Sequence, residues 1–248
     1  SGVSARDWAM YPVETQSCGY YSWNDKRLSY FWALAADSRD MRERYFAETF
    51  RGLGQLVHLV QDMSVPEHVR NDGHYFAYDY ELWAKSAKAP LIANYDAVYY
   101  VSDSSFPLSV GNLFDTEQYN GTNPNVTLYL NIGLSEYTSA NFLSPDSMFN
   151  KPNLPYPAYS ETELKTKTDS TTQENKLYLS KRGYGDIDGS GERIEHLARA
   201  QSFYNYLPMN LKTLALTLND PLVYVDYAQL LIPRAIGYSS QLLGYFFR

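Results

Sequence analysis

The sequence predicts an all-α, mostly helical fold, and three stretches carry that expectation. Residues 39–63, "RDMRERYFAETFRGLGQLVHLVQDM", place Phe46, Phe50, Leu53, Val57 and Val60 at steps of four, three, four and three, which is the period of one helix face. Residues 24–37, "NDKRLSYFWALAAD", are rich in good helix formers. The final stretch, "VYVDYAQLLIPRAIGYSSQLLGYFF", is long and mostly apolar, and Asp226, Arg234 and Gln241 keep it from being a membrane span. It reads as a central core helix kinked at Pro233.

In chain order, Ser38 is placed to cap the helix that follows it, because its hydroxyl can accept from an orphan backbone N–H of the first turn. Pro66 ends that helix, since Val65 before it is pushed out of the α region. A further helix, "YDYELWAKSAK", starts near Tyr78. Residues 91–133 are loop-like, and "GLSEYTSANFL" (133–143) reads as a short helix. Prolines, threonine runs and the turn "RGYGDIDGSGE" give residues 144–192 an irregular character with short hairpins. Residues 91–192 are therefore expected to be a loop-rich insertion on a single α-helical domain spanning 1–248. Helices are expected to resume near Leu197, and Asp220-Pro221 is a cap followed by a first-turn proline.

Composition narrows the function. The chain has 248 residues, 44% hydrophobic and 20% charged, as expected of a folded globular protein. A formal net charge of −7, with no basic patch to neutralise phosphates, argues against a dedicated nucleic-acid binder. The single cysteine, Cys18, excludes an internal disulfide, thiolate zinc fingers and iron–sulfur centres, so any metal must be held by nitrogen and oxygen. Tyrosine stands out at 24 residues, but it is spread along the whole chain, as core and surface filler would be. The start, "SGVSARDWAM", lacks the basic-then-apolar order of a signal peptide, and the chain is expected to be a processed product or a cut fragment.

The chemistry gathers in "HLVQDMSVPEHVRNDGH", where three of the four histidines fall within 17 residues, interleaved with Asp62, Glu67 and Asp72. His58 and Asp62 are four apart on a helix and share one face. His68 and His74 arrive from the turn after Pro66, and Glu81 follows on the next helix. Imidazoles and carboxylates in a compact group suit a first-row divalent ion such as zinc, and equally iron, manganese or nickel. Gly52 and Gly54, each costing about 1 kcal/mol in a helix interior, suggest a close approach to that backbone.

Other signals carry less. "DIDGSGE" (186–192) begins like a calcium loop, but the twelfth position is Leu197 where a bidentate acid is needed, so a plain turn is expected. The sequons at Asn120 and Asn125 depend on the source. Glu136 and Asn141 could face the metal site, and helix capping explains them equally well. His196, in "ERIEHLARA", has no comparable company and reads as a surface or packing residue.

The segment "GLGQLVHLVQDMSVPEHVRNDGH" resembles the metal segment of the zinc-dependent phospholipase C and P-one nuclease superfamily, with His58, Asp62 and His68 at the family's spacing and Pro66 in the turn. The end, "LLIPRAIGYSSQLLGYFF", resembles the last helix of bacterial proteins in that group. The resemblance implies a helical bundle and one to three zinc ions that hydrolyse phosphate esters. It implies His58 and Asp62 on one metal, Asp62 bridging and catalytic, and His68, His74 and Glu81 on a second. It also implies an extracytoplasmic protein, secreted or periplasmic, with a phosphate-ester substrate. A phospholipid or small phosphodiester is favoured over a nucleic acid by the acidic balance, and the single-strand-directed nuclease is the alternative within the class. The family takes further ligands from upstream, a tryptophan, two histidines and an aspartate, and no histidine precedes His58 here. Asp25, Asp37 and Asp40 are the nearby upstream aspartates. The rival expectation from another class is a non-catalytic domain that keeps one structural metal and binds a partner through its tyrosine-rich surface.

Overall fold

The computed structural model describes residues 4–11, 19–73, 80–92, 109–116, 132–168, 173–182 and 192–248. The short α1 (Ala5–Met10) is capped by Ser4. Ser22 and Asp25 cap α2 (Trp23–Ala35) reciprocally, each side chain bonding the other residue's backbone N–H. Ser38 caps α3 (Arg39–Asp62) by accepting from the Met41 N–H, as its place in the sequence predicts. A four-residue α4 (Pro66–Val69) carries proline in its first turn, and α5 (Tyr80–Ile92), α6 (Gly111–Phe114) and α7 (Leu134–Asn141) follow. The longest helix, α8 (Pro221–Phe246), begins at the Asp220 cap and contains Pro233 within it.

The expected all-α fold is overturned by a four-stranded antiparallel sheet in the order β1-β2-β3-β4. Its strands are β1 (Thr162–Thr168), β2 (Asn175–Lys181), β3 (Ile194–Ala200) and β4 (Leu216–Thr217). The β1–β2 hairpin falls where short hairpins are expected, but β3 replaces the helix expected to resume near Leu197. The residues of "ERIEHLARA" favour helix in isolation, yet β3 is hydrogen-bonded to β2 on one side and β4 on the other. Tertiary pairing therefore overrides a weak local preference. A register shift between Leu179 and Lys181 interrupts the β2–β3 ladder.

One apolar core joins the two kinds of structure. Leu53, Leu56 and Val60 of α3, Leu197 and Ala198 of β3, and Tyr227 and Leu231 of α8 belong to the same buried cluster. The described part of 91–192 contributes Leu113, Leu134, Phe142 and Leu179 to that cluster. Tyr227 ties the layers together: its hydroxyl donates to the Leu197 carbonyl at 2.9 Å and accepts from the Leu143 N–H at 3.2 Å. The tyrosine wealth is thus partly core, with Tyr178, Tyr204 and Tyr227 among the largest fully buried side chains.

The buried face of α3 is rotated from the predicted stripe. Thr49, Gly52, Leu53, Leu56 and Val60 are buried, whereas Phe50 is 57% exposed and stacks on Phe46 beside Phe247. Gly52 is needed because the Lys26 stem of α2 lies where a Cβ would stand, 1.9 Å from Lys26 Cδ. Nothing approaches within 4 Å of the corresponding point at Gly54, so its expected close approach is absent.

Candidate metal centre

The centre is built where α3 ends and the chain turns back. Val65 is extended because Pro66 follows it, and this break swings α4 round so that its one histidine returns towards the end of α3. Ser64 closes the last turn by donating to the Gln61 carbonyl at 2.6 Å. The turn after α4 is clamped from below by Arg70. Its guanidinium is buried and donates to the Ser147 hydroxyl, and to the carbonyls of Ser139, Phe142, Ser147 and Tyr156. Asp72 completes the clamp through Lys151 and Ser144. Burial alone would raise its pKa, but the hydrogen bonds from Lys151, Ser144 and Ser147 prevail and hold the carboxyl below its ordinary range. Asp72 is therefore a structural acid.

Four of the five predicted ligands meet here. Asp62 Oδ2 lies 3.5 Å from His58 Nε2 and 3.8 Å from His68 Nδ1, and His68 Nε2 lies 3.8 Å from Glu81 Oε1. The i, i+4 spacing on α3 accounts for the first pair. The other two contacts depend on α4 and on the start of α5. Tyr80 fixes that start, buried against Tyr224 and Tyr227 of α8 and stacked on Trp83. The fifth predicted ligand, His74, lies outside the described residues. Of the upstream aspartates, Asp25 is engaged in capping α2. Asp40 is 22 residues before Asp62 on the same helix, about 33 Å away at 1.5 Å per residue.

Electrostatics single out Asp62. Burial pushes its carboxyl above the ordinary range, His58 and His68 pull it back down, and Glu81 adds to the rise. It also closes the last turn of α3, where the helix dipole is negative and opposes another negative charge. A cation at this point relieves both penalties. Tetrahedral zinc with bonds of about 2.0–2.1 Å separates its ligands by about 3.3–3.4 Å, close to the spacing of His58, Asp62 and His68. His68 turns its two ring nitrogens to different carboxylates, however, and among the described residues no three donors converge as a finished metal shell. The chemistry of the donors, two imidazoles and two carboxylates, is that of a divalent-ion site.

A cleft of about 340 Å³ opens beside these groups, with His58, Asp62, Glu81 and Lys85 on one wall and Ile232 and Ile236 of α8 on the other. Lys85 escaped sequence reasoning, although it stands one turn beyond Glu81 on α5. Glu136 and Asn141 are not part of the centre: Glu136 accepts from Gly133 and Thr116 at the start of α7, and Asn141 donates to the Tyr137 carbonyl. The turn 186–191 and the sequons at Asn120 and Asn125 lie outside the described residues, and Leu197 is a fully buried core residue. His196 is not a surface residue. It is 8% exposed, with Nδ1 3.0 Å from Asp226 Oδ2. Among the described residues no helix is long and apolar enough to cross a membrane. No family model, curated protein or solved structure matches the chain.

Proposed function

We propose that the chain is a zinc-dependent hydrolase of phosphate esters, with a small phosphodiester or a phospholipid headgroup as substrate. The observation that supports this reading most is the meeting of His58, Asp62, His68 and Glu81, from three helices separated in sequence, beside a cleft that His58, Asp62 and Glu81 line. His58, Asp62 and His68 would hold the ion, with Glu81 orienting His68. A bound divalent ion supplies Lewis-acid activation of water and neutralises charge developing on the phosphoryl group. Lys85 would pair with a phosphoryl oxygen from the open side, and Ile232 and Ile236 would exclude water behind the ester.

The test is calorimetric titration of zinc into chelator-treated protein, run beside turnover of bis(p-nitrophenyl) phosphate. One zinc per chain is expected, with binding greatly weakened in His68→Ala and Asp62→Asn. Asp62→Asn should also abolish zinc-dependent turnover while keeping the helical circular dichroism. His74→Ala asks whether that residue contributes. Absence of zinc binding overturns the proposal. The limited donor set favours a second reading, in which the same single ion is structural and the domain binds a partner. Zinc binding with no turnover would select that reading.

A further inference from the structure

A second polar centre lies in the sheet, far along α8 from the first, and does not depend on the metal reading. A cavity of about 390 Å³ opens between β1, β2 and the start of α8, and Lys167, Lys176, Tyr178, Asp220 and Leu222 line it. Lys167 and Lys176 are directly opposite one another in the β1–β2 register. Side by side, the two ammonium groups give this edge of the cavity a positive character. Tyr178 and Asp220 are already committed. The tyrosine hydroxyl donates to Asp220 at 3.2 Å, and Asp220 also caps α8 and lies 3.5 Å from Arg199.

Lys167 is different from its neighbours. Lys165, on the same strand face, is held by the carboxylates of Glu163 and Glu195 at 3.0 Å each. Lys167 instead places its Nζ 3.1 Å from Nε2 of His196. The other ring nitrogen of His196 lies 3.0 Å from Asp226, and the same carboxylate oxygen accepts the His196 backbone N–H at 2.7 Å. Tyr178 packs against the imidazole at 4.7 Å, edge to face. Asp226 can only accept, so Nδ1 carries a proton and Nε2 is left as the acceptor facing Lys167. Lys167, His196 and Asp226 thus stand in series, each within hydrogen-bond reach of the next, with Lys167 at a cavity wall.

We propose that Lys167 is a nucleophilic lysine that condenses with a small anionic aldehyde or ketone bound in this cavity. His196 is its base, Asp226 orients the base, and Lys176 attracts the anionic group. The Lys167 nitrogen adds to the carbonyl carbon while its proton passes to Nε2 of His196. The former carbonyl oxygen takes that proton back from His196 and a second from the nitrogen, leaves as water, and a C=N bond remains. Water is the only by-product, so the step consumes neither oxidant nor reductant.

The probe is pyridoxal 5′-phosphate, an aldehyde carrying a phosphate, trapped with borohydride and located by peptide mass mapping. At limiting probe, Lys167 should be labelled at least about tenfold faster than Lys165 in the same molecule, a comparison that requires no variant. Pyridoxal without its phosphate should lose most of that advantage. His196→Gln should bring the Lys167 rate down to that of the other lysines, with circular dichroism confirming the fold. Asp226→Asn is the second variant should His196→Gln fail to fold, and it should lower the rate in the same direction. Equal labelling of Lys167 and Lys165 in the unaltered protein overturns the proposal. A Lys167 rate untouched by both folded variants overturns the assignment of the base and its orienting acid.

Discussion

Lys26 shows how a single side chain can serve packing and oppose it at once. Its stem fills the notch over Gly52, its ammonium reaches the Glu48 carbonyl at 3.4 Å, and the residue is 2% exposed. Burial is the dominant influence and lowers the ammonium from its ordinary range, against the upward pull of Glu48 and Asp25. A lysine depressed in this way favours the folded state above the unfolded value, near 10.4, and loses that benefit as pH falls through the folded value. At neutral pH the charge therefore opposes folding. Lys26→Met, which keeps the stem and removes the charge, should raise the melting temperature at pH 7, and the gain should shrink as pH rises towards 10. A lower melting temperature for Lys26→Met at pH 7 would show that the ammonium's contacts outweigh its burial. Legibility at this scale was uneven. His58 and Asp62 are visible as neighbours because helical spacing alone brings them together. The His196–Asp226 pair is not, because 30 residues and a strand-to-helix crossing separate its members.

At the scale of elements, helices announced themselves through their ends. Ser38, Pro66 and Asp220-Pro221 mark boundaries with local chemistry that needs no tertiary partner. β3 carried no such mark, since its strand state is conferred by β2 and β4, and Ile194, His196, Ala198 and Ala200 alternate too briefly to outweigh good helix formers. The stripe on α3 was read one notch round because Phe50 looks like core. In the fold it lies over Phe46 at the rim, while Gly52 and Thr49 face inward. The two glycines of α3 provide a paired test. Gly54→Ala meets open space and should stabilise the protein by up to about 1 kcal/mol through helix propensity. Gly52→Ala drives a methyl into the Lys26 stem and should cost about 1–3 kcal/mol. Urea unfolding of both variants gives the signs directly, and equal effects would refute the packing account.

For the whole molecule, the decisive fact is that helices and sheet share one core. The Arg70 clamp joins the α4 turn to the segment after α7, and Tyr227 joins that segment to β3 and α8. Helical circular dichroism and near-ultraviolet tyrosine signals should therefore lose structure at one common midpoint, as in a single cooperative transition. Arg70→Ala strands several buried acceptors and should lower that midpoint for both probes together, by about 3–5 kcal/mol of stability. Separate midpoints would mean that the sheet is a unit of its own.

The position of β1 has a consequence for how the protein behaves in solution. It is the outer strand of the sheet and among the described residues nothing pairs with its far side. A seven-residue strand with open backbone groups is a template on which a second chain can add itself. Its sequence, "TELKTKT", guards against this with charge: an approaching copy of the strand would have to bury Glu163, Lys165 and Lys167 against a like surface. Lys167 is thus both a gatekeeper against self-association and a wall of the cavity behind it. Replacing it with an apolar residue would alter chemistry and solubility together, whereas Lys167→Arg keeps the strand repellent and removes only the amine.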